Sequence, residues 1–143
     1  MSEHLLAAYV LILLKKDNAI LLLKRSATSS FAPNHYSLPG GRIEKNETFR
    51  QALVREVQEE LGITINESQL TFTHSFYRKG TENELVAFIF ECRQWQGDII
   101  NREPAKHSQL EWFDINNLPS PLIPAHQSAL SLIKEKQLYS EQS

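Results

Sequence analysis

Three glutamates near the middle of the chain, Glu56, Glu59 and Glu60, are spaced so that a helix would gather their side chains. Residues one helical turn apart lie on the same side, and at about 100° per residue the three carboxylates fall within an arc of roughly 100°. Like charges on one arc repel, whereas a divalent cation between them makes the arrangement favourable. Carboxylate oxygens are ligands that Mg²⁺ prefers, and the ion can bridge phosphate oxygens and activate a water molecule. A solvated acidic face has the same spacing, so the hypothesis depends on the surrounding pattern.

The elements that would position these glutamates follow from hydrophobic periodicity. Apolar residues recur every four positions over residues 48–61, which predicts an amphipathic helix, and Gly62 is placed to end it. Two apolar runs over residues 7–16 and 19–24 predict consecutive strands. The first run is too apolar to alternate, so we expect it to be covered on both faces.

A second helix is predicted over residues 125–136, with Ala129, Leu132 and Ile133 on one inward face. Strands before and after a central helix, followed by a last helix, predict a mixed α/β (α+β) sandwich. The remaining strands are predicted over residues 36–38, 69–77, 84–93 and 109–113.

Composition limits the classes of protein that this chain can belong to. Its 143 residues, 41% of them hydrophobic, predict one globular domain over residues 1–143 with a frayed tail at about 138–143. A single cysteine excludes an internal disulfide, and a net charge of −2 argues against binding to a nucleic-acid polymer. The most apolar segment, residues 5–14, is about half of a bilayer span, so we expect a cytoplasmic protein without a membrane partner.

The glutamates belong to a longer pattern over residues 41–63. A Gly is followed after five residues by Glu and after seven more by Arg-Glu, an aliphatic residue, any residue, Glu-Glu, any residue, Gly and an aliphatic residue. At ordinary residue usage this pattern arises by chance roughly once per billion starting positions. It resembles the Nudix box at every position, and the flanking segments are similar to the MutT-like, small nucleotide-pool branch of the Nudix hydrolases.

This resemblance implies a fold and a metal centre. The fold would be a Nudix-type α/β/α sandwich with a mixed central sheet. Glu56, Glu59 and Glu60 would hold divalent ions, with the carbonyl of Gly40 as an additional ligand. The ion would be Mg²⁺, with Mn²⁺ as a substitute.

The resemblance also implies roles around the metal centre. Arg55 would position the acidic cluster through an ion pair, for which Glu47 is the expected partner. One of the cluster glutamates, or an acid from a later loop, would deprotonate the attacking water. Glu103 is the candidate for that later acid, and the alternative is an ordinary solvated loop carboxylate.

Four further residues are candidates for binding the substrate. Arg25 follows the second predicted strand and could face a phosphate, or it could be a surface charge. Phe31, Tyr77 and Trp112 could stack on a base, or they could pack in the core or a loop. The histidines show no metal-ligand spacing and are expected to be structural or surface residues: His35, His74, His107 and His126.

The predicted activity is hydrolysis of a nucleoside diphosphate linked to a group X, foremost a nucleoside triphosphate cleaved to the monophosphate and pyrophosphate. Alternatives are a nucleotide sugar or dinucleotide as substrate, or a module that binds a nucleotide without turnover. The protein would be a monomer or homodimer. Members of the branch that removes oxidised guanine nucleotides read the base with an Asn after a Phe-Pro pair. Here Leu118-Pro119 is followed by no amide side chain until Gln127, so relaxed base preference is expected.

Overall fold

The computed structural model describes residues 4–80 and 84–142. It confirms the mixed α/β class. Strand ends differ from the predicted ones by up to two residues, which is the usual uncertainty of such boundaries. The elements are β1 (Ala7–Lys16), β2 (Ala19–Arg25), β3 (Tyr36–Ser37), β4 (Gly40–Arg42), α1 (Phe49–Leu61), β5 (Thr71–Arg78), β6 (Leu85–Cys92), β7 (His107–Asp114), α2 (Pro124–Lys134) and β8 (Tyr139–Gln142).

Within the described residues, the eight strands form one mixed sheet. The order along it is β3-β2-β1-β6-β5-β8, with β4 also paired to β1 and β7 also paired to β2. The β1–β6 and β5–β8 pairs are parallel, and the other pairs are antiparallel. Neither helix of the described residues is long and apolar enough to span a membrane.

Strand β1 is buried on both faces, as its apolar run predicts. Val10, Ile12 and Leu14 belong to a core cluster that includes the inward face of α1. Leu11 and Leu13 alternate with them and belong to a second cluster that includes α2. Because side chains alternate across a strand, this one segment supplies both cores. The sheet therefore lies between two helical layers, as the predicted sandwich requires.

Helix α1 has a defined beginning and end. Thr48 accepts a hydrogen bond from the backbone N–H of Gln51, and the Gln51 side chain accepts one from the Thr48 N–H, which together form a capping box. Gly62 ends the helix in the left-handed conformation, with φ 73°, and its N–H donates to the carbonyl of Gln58. The inward stripe includes Leu53 and Val57, so the side of the helix that carries the glutamates is fixed.

The predicted inward face of the last helix is partly wrong. Ala129 and Leu130 are buried and Ile133 packs beside them, whereas Leu132 is only partly buried and lies outside that core cluster. A stripe of residues i, i+1 and i+4 follows the helical period as well as the predicted spacing does. The sequence pattern alone did not distinguish the two stripes.

The prediction of a frayed tail is wrong for the described part of it. Residues Tyr139–Gln142 form β8, which pairs in parallel with β5; Ser143 lies outside the described residues. The fully buried His74 of β5 holds this segment: its Nδ1–H donates to the carbonyl of Gln137 at 2.8 Å, and its Nε2 accepts from the Ser140 hydroxyl at 2.9 Å. The polar composition of the tail hid this strand, since edge strands need little apolar sequence.

Candidate active site

Two glycines of β4 bring its backbone close to the glutamates of α1. The Gly40 N–H donates to Glu60 Oε1 at 2.9 Å, and Gly40 has a φ of +147° where a Cβ atom would collide with the carbonyl of Val10. A Cβ atom on Gly41 would lie 2.5 Å from the Glu56 carboxylate. Only glycine therefore fits at both positions while β4 stays paired with β1 and against the acidic side chains.

Arg55 joins the carboxylates of this face. Its Nε and Nη2 donate to the two oxygens of Glu47 at 2.7 and 3.0 Å, so the expected ion pair is present and is bidentate. Its Nη1 lies 3.0 Å from Glu56 Oε1 and 3.3 Å from Glu59 Oε2. The hydrogen bonds to Glu47 are the main reason that the pKa of Arg55 rises and that the pKa of Glu47 falls. Arg55 thereby offsets part of the repulsion among the glutamates.

The loop between β6 and β7 docks on the carboxyl end of α1. The backbone N–H of Ile100 donates to the carbonyl of Leu61 at 2.9 Å, and that of Arg102 donates to the carbonyl of Glu60 at 3.0 Å. Carbonyls in the last turn of a helix lack partners within the helix, so the loop supplies them. This docking fixes the loop beside Glu60.

Asn101 then fixes the backbone at two residues beside the cluster. Its amide donates to the carbonyl of His107 at 2.7 Å, and its Oδ1 accepts from the Glu103 N–H at 3.1 Å. Oxygen and nitrogen atoms of Glu60, Glu103 and His107 consequently lie within 4.8 Å of one another. The structure thus places Glu103 at the acidic cluster. His107, expected to be structural or on the surface, borders the same site, and no spacing in the sequence indicated this.

Burial dominates the electrostatics of the cluster. Glu60 is only 5% exposed, and this burial, followed by the charge of Glu56, raises the pKa of Glu60 to about 8, although the Gly40 N–H acts in the opposite direction. Burial likewise raises the pKa of Glu56. A bound divalent cation would stabilise the charged carboxylates and offset the cost of burying them. The burial and charge of these residues are therefore compatible with a metal site.

This pKa leads to a prediction about stability without metal. Because the pKa of Glu60 is about 8 in the folded protein and ordinarily 4.5, its contribution to stability is present below about pH 4.5 and is lost as the pH rises to about 8. The melting temperature of Glu60→Gln minus that of the wild type, in a chelator, should therefore increase between pH 5 and pH 8.5. Calorimetry at several pH values measures this difference. Glu67→Gln, at an exposed position, should give a flat difference; a flat difference for Glu60→Gln would contradict the prediction.

A cleft of about 580 Å³ opens on the α2 side of the sheet and reaches the acidic cluster. Of the residues predicted to act in the site, Arg25, Phe31, Gly40 and Glu60 line this cleft. The other lining residues include three basic side chains that the sequence did not indicate for the site: Arg78, His107 and His126.

Arg25 and Phe31 form one wall of the cleft. Arg25 Nε donates to the carbonyl of Phe31 at 2.8 Å and its Nη2 donates to Ser29 Oγ at 2.8 Å, so the guanidinium also holds the loop that carries Phe31. The Phe31 ring lies 5.5 Å from the guanidinium carbon of Arg25 and 5.6 Å from that of Arg78. Since Phe31 is 44% exposed, one part of its surface remains open to a ligand.

The other two aromatic candidates do not line the cleft. Phe76 of β5 faces the cleft, and because side chains alternate along a strand, the neighbouring Tyr77 faces the α1 side. Trp112 stacks on Trp95 with ring centroids 6.0 Å apart and packs against the α1-side core. Trp112 therefore follows the packing alternative, and neither ring is placed to contact a base in this cleft.

His126 presents a fixed polar group to the cleft. Its Nδ1 accepts a hydrogen bond from the backbone N–H of Leu38 at 3.0 Å. An amide N–H can only donate, so the neutral imidazole must carry its proton on Nε2. Burial lowers the pKa of His126 to about 4, and the ring remains neutral near pH 7.

A second groove of about 690 Å³ runs along the exposed side of α1 and includes Arg55, Glu59 and Glu103. Glu60 faces the cleft, while Glu59 and Glu103 face this groove. The carboxylates therefore lie between two cavities, where a ligand that occupies both would pass directly over them.

The fold is a mixed α/β sandwich whose acidic cluster lies beside a cleft and a groove. Comparison with known proteins gives the particular family: the model of the NUDIX domain matches residues 3–135. The chain belongs to the Nudix hydrolases.

Relatives within this family act on different compounds. The chain is 33% identical over 107 residues to an ADP-ribose pyrophosphatase of Methanocaldococcus jannaschii, a match that covers 75% of this chain and 61% of that protein. It is 30% identical over 125 residues to the 8-oxo-dGTP diphosphatase of Escherichia coli K12, which covers 86% of this chain and 92% of that one. The crystal structure of a MutT NUDIX hydrolase from Burkholderia pseudomallei superposes with a TM-score of 0.82 at 28% identity, over 90% of this chain and 98% of that chain.

Proposed function

We propose that this Nudix hydrolase cleaves a nucleoside diphosphate linked to X in a Mg²⁺-dependent reaction, with nucleoside triphosphates as the foremost substrates. Water adds to one phosphorus, the anhydride P–O bond breaks, and a nucleoside monophosphate and pyrophosphate leave. The observation that carries this proposal is the position of the carboxylates between the cleft and the groove. A nucleoside in the cleft would place its phosphate chain over them.

Within this proposal the chain's own residues hold the metal and its ligands in place. Glu56, Glu59 and Glu60, with the carbonyl of Gly40, would bind Mg²⁺, for which Mn²⁺ could substitute. When bound, the ion supplies positive charge to the phosphate oxygens and lowers the pKa of a coordinated water. Arg55 keeps the carboxylates in register through its contacts with Glu47, Glu56 and Glu59.

Other residues would bind the substrate and move the proton. Arg25, in the wall of the cleft, would donate to a phosphate oxygen, and the open face of Phe31 would stack on the base. Glu103 or one of the cluster glutamates would accept the proton of the attacking water. Glu103 lies within 4.8 Å of the nearest donor atoms of Glu60 and His107, so its carboxylate can act at the same centre.

The test is a panel of nucleoside triphosphates, nucleotide sugars and dinucleotides, incubated with Mg²⁺ and analysed for pyrophosphate and phosphate. Pyrophosphate release from triphosphates supports the proposal. The similarity to an ADP-ribose pyrophosphatase makes nucleotide sugars the second candidate substrate class. If nucleotide sugars are cleaved to a monophosphate and a sugar phosphate faster than triphosphates are cleaved, they take the place of triphosphates as the foremost substrates. Binding of nucleotides without turnover of any member would overturn the enzymatic proposal in favour of a binding module.

Base preference should be relaxed. Gln127, the first amide after Pro119, is exposed and does not line the cleft. A bidentate pair would add about 1–3 kcal/mol of discrimination, which is roughly ten- to a hundredfold. Values of kcat/KM for the four ordinary deoxynucleotides and oxidised dGTP should therefore lie within about two powers of ten. A preference for oxidised dGTP above about a thousandfold would contradict this prediction.

The proposed enzyme is one domain over residues 1–143 that works in the cytoplasm on small nucleotides, without a nucleic-acid polymer or membrane as partner. We expect it to be a monomer or a homodimer. Light scattering of the assayed preparation distinguishes these two states, and neither changes the residues assigned to the site.

A further inference from the structure

His107 has a buried imidazole side chain that takes no part in the proposed reaction. It is 7% exposed, yet neither ring nitrogen makes a hydrogen bond to a described residue. Its Nδ1 is buried without a partner, and its Nε2 lies 3.7 Å from Glu60 Oε2, beyond hydrogen-bond distance. A buried polar group without a partner costs stability, so packing does not explain a histidine here.

The distances around His107 are those of ligands that share one ion. One donor atom from each of His107, Glu60 and Glu103 lies within 4.8 Å of the other two. Around an octahedral ion with bonds of about 2.1 Å, neighbouring ligand atoms lie about 3.0 Å apart and opposite ones about 4.2 Å apart. The gap of 3.7 Å between His107 Nε2 and Glu60 Oε2 falls within this range, and the distances to Glu103 are at most 4.8 Å.

Hydrogen bonds position the Glu60 side chain and the backbones of Glu103 and His107. Glu60 accepts from the Gly40 N–H through Oε1, which leaves Oε2 on the side of His107. Asn101 bonds the backbones of Glu103 and His107 at the same time. The backbones that carry Glu103 and His107 are therefore fixed beside Glu60, which is what a shared ion requires.

We propose that His107 donates a nitrogen ligand to the divalent metal of this site, together with oxygens of Glu60 and Glu103. Imidazole nitrogen binds first-row transition ions far better than it binds Mg²⁺, which prefers oxygen. The site therefore holds Mn²⁺ more tightly than an all-oxygen site would, while Mg²⁺ remains able to support hydrolysis. This inference rests on the proposed function, since it concerns the metal of the same site.

Pulsed electron paramagnetic resonance of the Mn²⁺-loaded protein tests the nitrogen ligand directly. The wild type should show ¹⁴N modulations of a coordinated imidazole, and these should change to the ¹⁵N pattern when the protein is made with ¹⁵N-histidine. His107→Leu should abolish them and weaken Mn²⁺ binding about tenfold relative to Mg²⁺. This variant removes an unpartnered buried polar atom, so we expect it to fold.

His126→Asn is the matched control, because it changes the other histidine of the cleft and keeps an acceptor for the Leu38 N–H. It should retain the ¹⁴N signal. Absence of nitrogen coupling in the wild type, or an undiminished signal in His107→Leu, would overturn the proposal. If the wild type hydrolyses nucleotides with Mg²⁺ but shows no nitrogen coupling, this inference fails while the proposed function stands.

Discussion

Glu60→Gln is expected to lower turnover by about a thousandfold or more while the protein stays folded. The amide keeps the shape of the side chain and can still accept the hydrogen bond from the Gly40 N–H. It lacks the negative charge by which a carboxylate binds a divalent ion more strongly than a neutral oxygen does, so both metal affinity and rate should fall. Steady-state assays over a range of Mg²⁺ concentrations, with the melting temperature in a chelator, measure the two effects separately.

Glu67→Gln makes the same change of charge at an exposed position outside both cavities and should leave turnover unchanged. Turnover like that of the wild type in Glu60→Gln would remove the acidic cluster from the active site. Rescue of Glu60→Gln by high Mg²⁺ would instead indicate that the lost charge acts mainly on affinity.

Arg55→Ala should damage both stability and catalysis. The substitution leaves Glu47 without its bidentate partner and Glu56 and Glu59 without the nearby positive charge. A fully buried pair that loses one partner costs about 3–5 kcal/mol, but the Arg55 side chain is 23% exposed, so about 2 kcal/mol is expected. The melting temperature should fall by about 5–10 °C, and kcat should fall more than KM rises.

Arg50→Ala serves as the control for losing an arginine from the same helix. Arg50 donates to the carbonyls of Glu67 and Leu70 and lies over the Phe90 ring, remote from the cluster. It should lower the melting temperature with little effect on kcat. Full stability with lost activity in Arg55→Ala would show that Arg55 contacts a phosphate directly, and its positioning role would be withdrawn.

Periodicity predicted the elements of the fold well where burial is one-sided or complete. The uninterrupted apolar run of β1 indicated two covered faces, and the four-residue stripe of α1 fixed the side that carries the glutamates. Strand β8 escaped prediction because its pairing depends on the distant His74, which no local pattern reveals. A local pattern also could not tell which leucine of α2 faces inward: it predicted Leu132, whereas Leu130 is buried.

Prediction of contacts in the site was correct within the continuous stretch around α1, where the expected Arg55–Glu47 ion pair is present, while the roles of Arg55 and the three glutamates at a metal stay predictions. It was weaker where residues meet through tertiary structure. Tyr77 and Trp112 face the α1 side of the molecule because of strand register, and His107 reaches Glu60 only because the loop before β7 docks on the end of α1. Such contacts depend on long-range packing, which one sequence does not specify position by position.

The parallel pairing of β1 with β6 bears on how the chain folds as it leaves the ribosome. Ala7 pairs opposite Leu85, so the strand shared by both cores meets this partner only after more than half of the chain has been made. The β1–β2 hairpin is local and can close earlier. Glu103 and His107 emerge later still, in the last third of the chain. A nascent chain therefore carries the acidic helix for some time before the loop residues that we propose as further metal ligands exist.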